Sequence, residues 1–197
     1  MTIGGSVTDF QEVLDFWFGP SASPEYGRPR EAWFKKSDAF DEAIRAHFLD
    51  LHQQAADGQL QPWCTAPDSL LALIVVLDQF PRNLFRGASR AFATDAPALA
   101  AAQLAVARRF DRSLLPVQRW FVYLPFEHAE DLDMQRRCMN LFEGLRSDPD
   151  NAGTIDYARR HCEIIARFGR FPHRNAVLER ISTPEEIEFL QQPGSGF

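Results

Sequence analysis

The stretch Pro67-Asp68-Ser69-Leu70-Leu71-Ala72-Leu73-Ile74-Val75-Val76-Leu77-Asp78-Gln79-Phe80-Pro81 decides the fold class. It opens with Pro67-Asp68-Ser69, a helix-start signal. Apolar residues then go nearly all the way round a helical wheel, so the spacing predicts a central, buried helix through Phe80. Pro81 is expected to close it. The unbroken apolar run at 70–77 is eight residues long, far short of the ~20 that span a bilayer. No membrane segment is therefore expected. β-Branched residues cluster only in this run, and alternating polarity persists nowhere, so no strand is expected.

Helical spacing continues on both sides. Upstream, Thr8 and Gln11 form a capping-box pattern, and Phe10, Val13, Leu14, Trp17 and Phe18 share one face. Gly19-Pro20 stops that helix, and residues 19–30, rich in Pro and Gly, read as a loop. Ser37 caps a second helix carrying Phe40, Ile44, Phe48, Leu51 and Ala55, ended by Gly58. Downstream, Thr94-Asp95 caps an Ala-rich helix to about Arg109. Pro116 starts another that reads to Leu124, where Pro125 should kink or break it. Further helices are expected over 127–145 and 152–168, the latter stopped by Gly169. Thr183-Pro184-Glu185-Glu186 caps a short last one. The expectation is an all-α fold: about eight helices in antiparallel helical hairpins, a single domain over 1–197, with 1–7 and 193–197 as loose tails.

At 197 residues, with 45% hydrophobic and 24% charged, the chain can bury a sizeable core, which excludes disorder as a whole-chain description. The net charge of −6 is unevenly placed: residues 159–180 carry +4 from six Arg against two Glu, and the rest carry −10. The plainer reading is salt bridging to acidic neighbours, and the sharper one is a site for something anionic. Basic residues are 19 Arg and only Lys35 and Lys36. Cys64, Cys138 and Cys162 are odd in number and far apart, so neither a disulfide framework nor a cysteine zinc site is indicated. With no signal-peptide pattern over 1–9, a cytoplasmic location is expected.

Two segments echo each other: Asp78-Gln79-Phe80-Pro81-Arg82-Asn83 and Gly169-Arg170-Phe171-Pro172-His173-Arg174-Asn175. Each places Phe-Pro at the end of a helix, then Arg and Asn. One reading is structural: Phe plugs the core, Arg meets the last carbonyls and Asn caps the next turn. The other is that both corners face one cleft, where Arg82, Arg86 and Arg174 hold a carboxylate or phosphate and Asn83, His173 and Asn175 orient it. A third segment, Leu124-Pro125-Phe126-Glu127-His128-Ala129-Glu130-Asp131, concentrates ionisable groups after a proline. His128 with Glu130 are candidates to move a proton. His128 with Glu127 or Asp131 and a distant His161 or His173 would be a metal set, but there is no HExxH pattern and no metal or cofactor is expected. Nucleotide-binding glycine motifs and the GxSxG elbow are absent from the sequence.

Together these motifs resemble the bacterial domain-of-unknown-function family 924. The residues that carry the resemblance are Leu14-Asp15-Phe16-Trp17-Phe18-Gly19, Trp33-Phe34, Phe40-Asp41, Leu77 to Asn83 with Arg86-Gly87, Leu124-Pro125-Phe126 with His128 and Glu130, and Phe168 to Asn175. The resemblance implies an all-helical, tetratricopeptide-like fold and no established reaction. Ala129 stands where the family pattern has Ser in many members. The functional expectation is a pocket for a small anionic ligand. The alternative is a protein-binding module of tetratricopeptide-like type, without catalysis, that takes an acidic peptide. Nucleic acid is not an expected partner, since the net charge opposes it.

Overall fold

The computed structural model describes residues 9–196, and among these the chain is all-α, with no strand. Helix α1 (Phe10–Phe18) is capped by Asp9, whose side chain accepts from the Gln11 amide. Thr8, the expected capping residue, lies outside the described residues, as does the expected N-terminal tail. Ser37 caps α2 (Asp38–Ala56) as the spacing predicted, accepting from the Phe40 amide. Helices α5 (Asp95–Ala107), α6 (Pro116–Glu127), α7 (Leu132–Glu143), α8 (Ala152–Phe168) and α9 (Pro184–Leu190) follow in order. Gly169 ends α8 at φ +70°, a left-handed position that a side chain would strain. Consecutive helices α5 and α6, α6 and α7, and α7 and α8 pack on one another, which is compatible with a tetratricopeptide-like array. No helix among the described residues is long and apolar enough to cross a membrane.

Two prolines behave differently from expectation. Pro81 does not close its helix. Instead α3 (Pro67–Ile74) widens into a π-helical turn (Val75–Gln79) and continues as α4 (Phe80–Leu84). A helical proline leaves the carbonyl four residues earlier without its donor. That carbonyl is Leu77's, and the Thr94 hydroxyl donates to it at 2.6 Å. Thr94 thus serves Leu77, and its side chain makes no cap to α5. Pro125 likewise lies inside α6, and the break comes only after Glu127. There the Gln135 amide donates to the carbonyls of Glu127 (2.5 Å) and Ala129 (2.8 Å), closing the helix end.

Thr94→Val keeps the shape and removes the hydroxyl, so it is expected to cost about 1–3 kcal/mol, the penalty of a buried carbonyl left unpaired. Urea unfolding of the two proteins measures this directly. A loss below a few tenths of a kcal/mol would show that the helix does not depend on Thr94.

The core is aromatic at its centre. Phe121 packs against Trp17, Phe18 and Trp33 at ring separations of 5.5, 5.3 and 4.9 Å, and Phe80 sits 4.9 Å from Phe48. A smaller cluster of Ile164, Ile165 and Phe171 lies under α9. The two echoed phenylalanines therefore plug different cores, and both are fully buried.

Candidate functional site

The π-helical turn places one carboxylate, Asp78, in the apolar interior at 0% exposure. Such turns frequently mark functional sites. His128, the residue that follows α6, meets it: Nδ1 lies 2.8 Å from Asp78 Oδ1. Gln79 Nε2 donates to the other oxygen at 2.6 Å. Arg82, one turn on, donates to the Asp78 carbonyl at 2.5 Å and stands 3.4 Å from its carboxylate. An ionised carboxylate only accepts, so His128 carries its proton on Nδ1 and keeps the Nε2 lone pair free.

Asp95, at the first position of α5, joins the two corners. Arg82 Nη1 approaches it to 3.0 Å and Arg174 Nη1 to 3.2 Å. Arg174 is only 6% exposed and stacks between the rings of Phe92 and Phe171, 4.6 Å from each centroid. Beside this cluster lies a cavity of about 430 Å³, lined on its polar side by His128, Asp95, Glu130 and Arg174. Its apolar side comprises Phe92, Ala93, Ala96, Leu99, Pro125 and Leu178.

The charge states follow from burial and neighbours. Burial pushes the Asp78 carboxyl up, but Arg82, then His128 and Gln79, pull it below the ordinary range, to about 2. Burial and then Arg82 lower His128, against the pull of Asp78, so the ring is neutral at pH 7. Glu127, 2% exposed, is raised to about 8 by burial and by Asp78. It is therefore a neutral acid at pH 7, with His161 Nδ1 3.5 Å away. His161 donates to the Tyr157 carbonyl and is lowered to about 3, chiefly by burial. His173 falls to about 4 by burial and Arg174. Arg174 is lowered to about 10 by burial and then by Arg82, so its charge is stabilised less than that of an exposed guanidinium.

The expected residues divide among three places. Arg82, Arg174 and His128 come together around Asp78 and Asp95. Asn83 and Arg86 are drawn to Asp41 instead, Asn83 at 2.7 Å and Arg86 through two contacts of 2.9 Å. They line a separate cleft with Lys36, Asp38 and Arg45. Asn175 turns to Ser182 (3.0 Å) and Glu186 (3.3 Å) under α9. His173 lies next to Phe171, with ring centroids 5.6 Å apart. Glu130 faces the cavity but is held bidentately by Arg180, at 2.6 and 2.9 Å, and accepts the Phe171 amide at 2.8 Å. The basic segment 159–180 follows its plainer reading, since all six arginines meet carboxylates: Asp156, Glu185, Glu186, Asp95 and Glu130.

Sequence reasoning missed Asp78 and Asp95 as site residues. For Asp78 a signal existed: it is the one ionisable residue in the largely apolar stretch 70–80. Asp95 read as an ordinary helix-start residue, and nothing local distinguishes it. Among the described residues no group of three or more His, Cys, Asp or Glu could hold a metal ion.

No curated protein matches the chain. A solved structure, a protein of unknown function from Agrobacterium tumefaciens (ATU0120), is 40% identical with a TM-score of 0.82, covering 92% of this chain and 96% of its own. A family profile described as a bacterial protein of unknown function matches residues 13–194. With nearly the whole chain matched, this protein belongs to the DUF924 family.

Proposed function

We propose that the chain is a small-molecule-binding protein whose cavity holds an anionic ligand, a carboxylate or phosphate, at Arg174 and sets it against His128 as a proton acceptor. The observation that carries this reading is the buried Asp78–His128 contact of 2.8 Å, whose His128 lines the cavity together with Arg174. Asp78 fixes the tautomer and orientation of the ring, the part a carboxylate plays behind a general-base histidine. Arg82 Nη2 and Arg174 Nε are buried and donate to no acceptor among the described residues. Arg82 has both Asp78 and Asp95 as ion-pair partners, whereas Arg174 shares Asp95 with it, and a ligand anion would complete the neutralisation of Arg174. In this reading Arg82 supports Arg174 from behind, and Asn83, Arg86 and Asn175 serve the fold.

The test is thermal unfolding of wild type, Arg174→Ala and Arg86→Ala against small carboxylates and inorganic phosphate. A ligand at 100 times its Kd adds about 2.7 kcal/mol, roughly 5–10 °C for a chain of this size. Wild type and Arg86→Ala are expected to shift with a bound anion, and Arg174→Ala to lose the shift. The reverse pattern would move the site to the Asp41 cleft. No shift with any anion sinks the reading and favours the peptide-binding alternative.

A further inference from the structure

The cavity is two-sided, and the apolar side does nothing for an inorganic anion. Phe92 and Ala93 immediately precede α5, and Ala96 and Leu99 lie three residues apart on one face of its first turns. Leu178 faces them from the segment before α9. Ala93 and Ala96 are exposed, and Phe92, Leu99 and Leu178 are half-buried, so this wall keeps apolar surface in contact with solvent. A volume of about 430 Å³ is within the range of small-molecule pockets and much larger than a carboxylate or phosphate needs. The charged groups of the lining are Arg174, Asp95, Glu130 and Asp131, with His128 beside them, and Arg174 is the one cation among these lining residues.

Resting on the anion-site reading above, we propose that the ligand is amphipathic: an organic acid whose anionic head meets Arg174 and whose hydrocarbon chain lies along Phe92, Ala96, Leu99 and Leu178. The acidic groups at the rim set a second condition. Glu130 is paired with Arg180, Asp95 with Arg82 and Arg174, and Asp131 caps α7 through the Asp133 and Met134 amides, so Arg174 is the lining cation left to meet a ligand's negative charge. A second charge at the far end of the chain would enter the apolar wall unpaired and is disfavoured. The class is therefore an acyl or alkyl acid that carries its charge at one end only. Carboxylate and phosphate heads share the recognition chemistry, since both accept from a guanidinium fork.

The experiment is calorimetric titration of the intact protein with butanoate, hexanoate and octanoate. The n-alkanols, the α,ω-dicarboxylates and the alkyl phosphates of the same lengths are titrated beside them. Affinity for the monocarboxylates is expected to rise roughly fourfold per methylene until the cavity is filled. Alkanols and dicarboxylates are expected to bind at least tenfold more weakly than the matching monocarboxylate. The alkyl phosphate arm shows which head is preferred. Ala96→Phe, a change at an exposed helical position, is expected to shorten the chain length at which affinity stops rising. Equal binding of butanoate and octanoate would overturn the amphipathic assignment and leave the head-group site standing. Alkanols binding as well as alkanoates, or no binding by any acid, would overturn both.

Discussion

Asp78→Ala is expected to destabilise the protein by about 3–5 kcal/mol, the cost of removing one partner from a buried charged network. Asp78 is fully buried and serves three neighbours: His128, Gln79 and Arg82. Its loss leaves the Arg82 guanidinium with Asp95 alone, while Arg174 competes for the same carboxylate. The double variant Asp78→Ala with Arg82→Met is expected to recover part of the loss, because the uncompensated cation goes with it. A cycle of the two single variants and the double variant, read by urea unfolding, gives the coupling directly. A single-variant cost below about 1 kcal/mol would remove Asp78 from the centre of the network. The pH sign is definite. The Asp78 carboxyl is lowered from 3.8 to about 2 on folding. Its contribution is present above about pH 4 and is lost as pH falls through about 2.

Glu127→Gln is expected to be nearly neutral for stability at pH 4.5 and stabilising at pH 8.5, by about 2–4 kcal/mol. Glu127 is raised from 4.5 to about 8 on folding, by burial and by Asp78. The unfolded chain therefore ionises at a pH where the folded one still holds the proton. Stability from this group is full below pH 4.5, falls across the window from 4.5 to about 8, and levels off above it. Glutamine stays neutral at every pH and removes that slope. Thermal unfolding of both proteins at half-unit steps from pH 4.5 to 9 reads the difference. Parallel curves would mean that Glu127 is ionised in the folded protein. His161 and His173 act in the opposite sense. Both fall from 6.5, to about 3 and about 4, on folding, so they remove stability as pH drops below 6.5. The protein is thus pressed from both sides, and its stability optimum is expected near pH 6–7.

The chemistry of the site was legible only where it was local. His128, Arg82 and Arg174 stand out because each follows a proline that interrupts helical spacing, and the Phe-Pro echo marks two corners by itself. What each arginine meets was not legible. Asp95 is 13 residues from Arg82 and 79 from Arg174 in the chain. Arg82 and Arg86 are four residues apart, yet they point to different carboxylates, Arg82 to Asp78 and Asp95 and Arg86 to Asp41.

Sequence alone determined the helices, because their signals are short-range: the caps at Ser37 and Thr183, the stops at Gly19 and Gly169, and apolar faces with a period of 3.6 residues. It also determined that the 67–81 helix is buried, since no polar face remained to meet water. Tertiary structure decided the fate of the two prolines. Whether Pro81 ends a helix depends on who donates to the Leu77 carbonyl, and the donor is Thr94, 17 residues away and outside any local rule. Tertiary structure likewise decided the charge states of Asp78, Glu127 and His128. A carboxyl's pKa is set by what surrounds it in space, and three groups close together in the sequence or on neighbouring helices ended as an anion, a neutral acid and a neutral base.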